Sequence, residues 1–337
     1  MIQYIDKKKY LLDKIHFYNK LEINKLLLRN NIIVIIDKDI VKYFTAYFNK
    51  HKIKYILASH KNIATFENII KELVNFKADK NTILVGIGGG EITDLTGFIA
   101  SIYMRGVICE YIPTTLLAIV DAAIGGKNAI NYYNIKNIIG TIYQPNNIYI
   151  NIDYLNTLSI DEINNGYAEI IKISLLRSKK LLDFVYDYIK KGEYNSNILE
   201  NIIKESIELK IQIVSDDEFD NNIRNLLNFG HTIGHILELN YNISHGEAII
   251  IGMYYESLIA KELGLIDRNL LKEIDTYLSI LKDNYTKYSL SSYLDYIYLD
   301  KKNNNGIINF PFIKSIGEGS LIKIKIEEII KIINTIK

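Results

Sequence analysis

Three of the six histidines in this chain of 337 residues fall within one short stretch. They stand in Asn228-Phe229-Gly230-His231-Thr232-Ile233-Gly234-His235 and in His245-Gly246-Glu247. Imidazole is the commonest protein ligand for transition metals and the side chain best placed to move protons near neutral pH. His231 and His235 are four residues apart, so a helix puts them on one face, as a metal-directed pair requires. His245 opens the apolar run Ala248-Ile249-Ile250-Ile251-Gly252-Met253 and can reach the same point from a second helix. Glu169, inside the apolar stripe Gly166-Tyr167-Ala168-Glu169-Ile170-Ile171-Lys172, offers an anionic co-ligand for two or three histidines. A metal site is the first expectation.

A second kind of chemistry is written in glycines. Gly86-Ile87-Gly88-Gly89-Gly90-Glu91 joins a strand-like segment to a helical one. Such a turn lets the backbone approach a pyrophosphate, with the helix N-terminus adding a favourable dipole. It departs from the G-x-G-x-x-G fingerprint, because Glu91 stands where the last glycine would be. Asp37, at the end of the first strand-like run, is placed to accept hydrogen bonds from a ribose or simply to cap the strand. Downstream, Pro113-Thr114-Thr115, Asp121, Gly125-Gly126-Lys127 and Lys136-Asn137 set polar groups densely between apolar segments, which is costly to bury without a ligand. Lys127 and Lys136 suit anionic substrate groups. Arg224 and Asn228, after Lys210, are four apart; on one helix face they could hold a planar carboxylate, Arg224 in bidentate fashion.

These residues need two kinds of scaffold. Ile32-Ile33-Val34-Ile35-Ile36 reads as a buried parallel strand, followed by a helical pattern over 40–49, a strand over 53–57, a helix over 63–76 and a strand over 82–87. Alternation of this kind predicts a doubly wound, Rossmann-like α/β domain over residues 1–158. From residue 159 to 337 the pattern changes to amphipathic helices, including 168–176, 198–213, 246–263 and 326–336. That half is expected to be all-helical, apart from a possible short strand at 306–312.

Composition narrows the function. The net charge of +1 gives no support for nucleic-acid binding, and no apolar run is long enough to span a bilayer. The N-terminus lacks the order of a signal peptide, so a cytoplasmic location is expected. Cys109 is the single cysteine, which excludes an internal disulfide, and its apolar neighbours make it a core residue.

Taken in order, these motifs resemble the 3-dehydroquinate synthase family of sugar-phosphate cyclases. The resemblance rests on Gly88-Gly89-Gly90, Asp94, Gly97-Phe98, Tyr103-Met104-Arg105-Gly106, Pro113-Thr114-Thr115, Gly125-Gly126-Lys127, Lys136-Asn137, Ala168-Glu169, Lys172, Leu227 to His235 and His245-Gly246-Glu247. It runs from about residue 32 to 264, with weaker agreement at Asp300-Lys301-Lys302 and Ile316-Gly317.

The resemblance implies zinc, with cobalt as the alternative, on Glu169, His231 and His245. It makes His235 a catalytic histidine near a phosphate and not a metal ligand, alongside Lys127, Asp121 and Lys172. Substrate contacts are implied for Arg105, Lys136, Asn137, Lys210, Arg224, Asn228 and Lys302. NAD contacts are implied for Asp37, Lys61, Gly89, Gly90, Glu91, Ile92, Thr93, Asp94, Thr114, Thr115, Lys127, Lys136 and Thr157. Arg105 would reach the site of a neighbouring subunit, which implies a homodimer. The implied reaction turns 3-deoxy-D-arabino-heptulosonate 7-phosphate into 3-dehydroquinate and phosphate. Leu57-Ala58 stands where the family usually has Gly-Glu before the lysine matched by Lys61, so one ribose contact is missing. Asp220 and Tyr132 replace a usual glutamate and histidine. A sibling cyclase would not need the Arg224–Asn228 pair, and a polyol dehydrogenase of related fold would not need Lys127, Lys136 and Lys210. A non-catalytic binding subunit would not need the metal set.

Overall fold

The computed structural model describes residues 6–133, 135–282, 285, 288 and 305–335. The chain forms two compact units, Met1–Ser159 and Ile160–Lys337. Lys302 lies outside the described residues. No described helix is long and apolar enough to cross a membrane.

In the first unit the strands are β1 (Ile15–Phe17), β2 (Ile32–Asp37), β3 (Lys54–Ala58), β4 (Ile83–Gly88), β5 (Ile108–Pro113), β6 (Lys127–Tyr132), β7 (Ile135–Ile142) and β8 (Asn147–Ile150). Its helices are α1 (Lys7–Leu12), α2 (Lys20–Leu26), α3 (Thr45–His51), α4 (Ile63–Asn75) and α5 (Gly90–Ile102). Six strands form one parallel sheet in the order β1-β8-β5-β4-β2-β3. The run Ile32–Ile36 is fully buried at its centre, as a strand covered on both faces must be. The chain passes from β2 to β3 on one side and then returns to the other side of β2 with β4. The topological switch therefore lies between the C-terminal ends of β2 and β4, where sheets of this type bind ligands.

Two strands escape the expected pattern. The polar segment 127–142 is an antiparallel hairpin, β6 on β7, with Lys127 opposite Ile142. Glycines, lysines and asparagines hide its alternation in the sequence. Asn128 anchors it: Tyr111 donates to its side-chain oxygen at 2.8 Å, and its amide donates to the carbonyls of Gly126 and Tyr143 at 2.8 and 2.9 Å.

The second unit contains α6 (Ile160–Arg177), α7 (Lys179–Lys191), α8 (Ser196–Asp216), α9 (His231–Asn240), α10 (His245–Glu262), α11 (Arg268–Leu278) and α12 (Ile326–Thr335). Its helical character is as expected, with one correction to "all-helical". Strands β9 (Ile307–Ser315) and β10 (Glu318–Lys325) pair in an antiparallel hairpin, longer than the strand anticipated at 306–312. Most helices carry their own caps; Ser244, for example, accepts from the Glu247 amide at the start of α10. Helix α9 does not. Its N-cap is Gly230, at φ +81°, which has no side chain to offer.

Candidate metal centre and nucleotide turn

Glu169 projects from the middle of α6, whereas His231 and His245 are the first residues of α9 and α10. The glutamate is only 3% exposed, so its charge must be answered inside the protein. One carboxylate oxygen lies against the Lys172 ammonium, one turn along the same helix and 2% exposed. The other, Oε1, lies 3.6 Å from His231 Nε2 and 3.5 Å from His245 Nε2. Neither carboxylate oxygen makes a well-formed hydrogen bond.

That geometry fits a metal. Donor atoms bonded at about 2.0–2.1 Å to a tetrahedral ion stand about 3.4 Å apart, close to both observed separations. One donor atom from each of the three residues lies within 4.8 Å of the others. His235 is outside this donor group, exposed on α9, although its ring centroid is 5.2 Å from that of His231. Spacing places the two rings side by side but does not make both ligands.

The surroundings orient the imidazoles. His231 Nδ1 lies 3.2 Å from the Phe229 carbonyl, so a proton on Nδ1 can be donated there, leaving Nε2 as the lone-pair donor. His245 Nδ1 faces Glu238 at 3.7 Å. Burial pushes the His245 imidazole towards its neutral form, but Glu169 and Glu238 outweigh it and lift its pKa to about 9. Cationic charge is therefore favoured at this point, even though two helix N-termini oppose it.

Three further cations are buried in the same unit. Lys172 and Lys210 come from α6 and α8, and Arg224, 1% exposed, from a short 3₁₀ helix, Ile223–Asn228. That helix corrects the expected shared face of Arg224 and Asn228. With about three residues per turn, positions four apart point roughly 120° from one another. The guanidinium donates to the Glu218 carbonyl at 2.6 Å, and Asp217 accepts from the backbone amides of Asn221, Asn222 and Arg224. These bonds hold the Asp217 carboxyl below its usual range against the opposing effect of burial. The side-chain amide nitrogen of Asn228 is buried without a hydrogen bond, as is the Thr232 hydroxyl, so this region keeps unspent polar groups.

In the first unit, Asp37 ends β2 and the glycine turn ends β4, on adjacent strands at the switch point. Gly89 caps α5 without a side chain, and a Cβ there would lie 3.2 Å from the Thr115 methyl. A Cβ on Gly90 would come within 3.0 Å of the Ala122 side chain, so the turn is close-packed from behind. Ile92 and Thr93 have buried side chains, and their backbone amides both donate to the Gly89 carbonyl at 3.1 Å, so any phosphate donors of this turn lie earlier, at Gly89 to Glu91. Glu91 is exposed and lies 3.4 Å from His60. Lys61 and Asp94, both expected to touch a dinucleotide, form a largely buried ion pair with each other. Burial raises the Asp94 carboxyl and Lys61 opposes it.

Thr114 is buried beside the turn, its amide bonded to the Gly88 carbonyl, and Thr115 accepts from the Ala118 amide. Asp121 occupies a single π turn, Ala118–Ala122, a conformation that recurs at functional sites. Lys127, Lys136 and Asn137 are exposed on the β6–β7 hairpin, and Arg105 is exposed in a left-handed turn with Met104. Thr157 is exposed at the end of the 3₁₀ turn Ile152–Thr157, its hydroxyl donating to the Tyr154 carbonyl. Sequence reasoning passed over Glu238 and Glu256. The second had a signal, since His245, Ile249, Gly252 and Glu256 fall on one face of α10.

Comparison with known proteins agrees with this chemistry. Residues 57–165 match the 3-dehydroquinate synthase N-terminal family and residues 166–303 the C-terminal one. A 3-dehydroquinate synthase from Campylobacter jejuni subsp. doylei is 41% identical over 269 residues, 77% of each chain. The fold is shared with 2-deoxy-scyllo-inosose synthase complexed with carbaglucose-6-phosphate, NAD+ and Co2+ (TM-score 0.83, 24% identity, 95% and 96% of the two chains). It is also shared with the 2-epi-5-epi-valiolone synthase of Streptomyces hygroscopicus subsp. jinggangensis with NAD+ and Zn2+ bound (TM-score 0.82, 23% identity, 95% of each chain). With both family regions matched in order and a relative this similar over three quarters of its length, the chain belongs to the 3-dehydroquinate synthase family.

Proposed function

We propose that this chain converts 3-deoxy-D-arabino-heptulosonate 7-phosphate to 3-dehydroquinate and phosphate. NAD would sit at the glycine turn, and zinc or cobalt on Glu169, His231 and His245. The observation that carries the reading is the buried Glu169 Oε1, facing two imidazole nitrogens at tetrahedral-edge separations without a hydrogen bond. When bound, NAD supplies a reversible hydride acceptor and the metal a Lewis acid for the substrate hydroxyl.

The chain's own residues divide the remaining work. Arg224 offers a buried guanidinium to the substrate carboxylate, while the orphaned Asn228 amide, on another side of the same 3₁₀ helix, is a donor for a different substrate group. Lys172 and Lys210 supply fixed positive charge, which stabilises anionic substrate groups more strongly in a buried setting than in water. Lys127, Lys136 and Asn137 add exposed donors from the hairpin. The His235 ring, exposed beside His231, is the group suited to move a proton as phosphate departs. Arg105 would extend to a second subunit's site, making the working form a homodimer, which sedimentation of the pure protein tests directly.

The reading is tested by measuring phosphate release from the heptulosonate phosphate, with NAD and zinc each present or withheld. Release should require both. Equal turnover of sedoheptulose 7-phosphate, which lacks the carboxylate, would transfer the chain to a sibling cyclase activity.

A further inference from the structure

Helix α9 presents His231 at its first position, and its N-cap, Gly230, has no side chain with which to satisfy the exposed amides. The acceptor comes from elsewhere in the unit. Glu256, in the fourth turn of α10 and 0% exposed, accepts from the Gly230 amide at 2.8 Å through Oε2. Its Oε1 accepts from the Ile233 amide at 3.2 Å. The carboxylate thus closes on both sides of His231. The same turn includes Phe229, whose carbonyl meets His231 Nδ1. Beneath it, a Cβ on Gly252 would lie 2.0 Å from the Gly230 carbonyl oxygen, so α10 presses its backbone directly on the turn.

We propose that Glu256 is a positioning residue for the metal centre: it registers the His231-bearing turn against α10, the helix whose first residue is His245. The argument is geometric. A metal site tolerates only about 0.2 Å of error in its ligand distances, and His231 is held by a turn that has no cap of its own. A hydrogen-bonded carboxylate from the helix that carries another ligand fixes the separation of the two imidazoles. Loss of outer partners of this kind typically costs about 10–100-fold in metal affinity. The inference rests on the metal reading above and goes beyond it, since Glu256 is not one of the three donor residues.

The test is a chelator-competition titration with zinc, together with the visible spectrum of the cobalt-loaded protein, for wild type, Glu256→Gln and Glu256→Asp. Glu256→Gln keeps the shape but presents an amide N–H to one backbone N–H. It should bind zinc about 10–100-fold more weakly and alter the cobalt bands, while its circular dichroism stays that of the wild type. Glu256→Asp keeps the charge and should recover part of the loss. Wild-type zinc affinity and cobalt bands in folded Glu256→Gln would overturn the assignment. Should neither variant fold, amide exchange in the metal-free wild type decides: Gly230 and Ile233 should be protected as strongly as the interior of α10, and rapid exchange would overturn it. A wild-type protein that binds no metal would instead defeat the metal reading itself.

Discussion

The two units build their sites from different materials. In the second, the proposed site is made of buried side chains: Glu169, Lys172, Lys210 and Arg224 have little access to water. In the first, the proposed contacts are the glycine turn at the end of β4 and exposed side chains on a hairpin. Buried charge is expensive and needs specific partners, so the second site is stiff and intolerant of change. A site made of backbone and surface groups is set by where glycines permit close approach. The contrast teaches that substitutions should separate metal binding from nucleotide binding, and each expectation below can break that separation.

The largest effect is expected from His231→Ala. Metal content should fall from about one ion per chain to near zero, with turnover abolished, because an open three-ligand site cannot lose a donor and keep a divalent ion. NAD titration of the same variant should be unchanged. A parallel loss of NAD would show that the two units do not bind independently. His235→Ala is the matched control on the same helix face. It should keep its metal while kcat falls by about 10²–10⁴-fold, the usual worth of a positioned acid or base. Metal loss equal to that of His231→Ala would make His235 a ligand.

Arg224→Ala comes next. Removing one partner of a buried charged contact typically costs about 2–5 kcal/mol, so KM for the heptulosonate phosphate should rise by roughly 30-fold to several-thousand-fold. Zinc content and NAD affinity should stay at their wild-type values. A KM within a factor of about three of wild type would remove the carboxylate role, since rim contacts are worth that little.

The same contrast explains what the sequence reveals. His231 and His245 stand out because histidine is rare here and each opens an apolar helix, so residue type and position agree. The parallel sheet is legible in runs such as Ile32–Ile36, whose burial on both faces leaves no alternation to confuse. Arg224 and Asn228 mislead because spacing assumes an α-helix, whereas the Asp217 carboxylate winds the preceding loop into a tighter 3₁₀ turn. The hairpin at 127–142 is hidden because its inward groups are polar: Asn128 satisfies three hydrogen bonds inside the unit and so replaces the apolar residue that a strand pattern expects. Glu256 is hidden for another reason. Its partners lie 26 and 23 residues away, and only the packing of α9 on α10 joins them.

Gly97 and Gly89 give the finest division within the first unit. A Cβ on Gly97 would lie 2.0 Å from the Asn128 side-chain oxygen and 2.1 Å from the Tyr111 hydroxyl. Those groups are hydrogen-bonded and buried and cannot swing aside, so Gly97→Ala should cost about 1–3 kcal/mol of stability, the usual range for overpacking. Thermal unfolding monitored in the first unit measures it. Gly89 differs. Its backbone is extended, at φ −75° and ψ −170°, which any residue adopts, and a Cβ would meet the Thr115 side chain, its methyl at 3.2 Å and its hydroxyl at 3.5 Å. A shift of that side chain by a few tenths of an ångström eases the contact. Gly89→Ala should therefore fold with little change in melting temperature. If the dinucleotide lies against this turn, the added methyl should obstruct it and weaken NAD by about tenfold, equivalent to roughly 1.4 kcal/mol. Zinc affinity should not move, because no metal ligand belongs to this unit. Unchanged NAD affinity in a folded Gly89→Ala protein would place the pyrophosphate elsewhere and leave the glycine turn with only its structural task of joining β4 to α5.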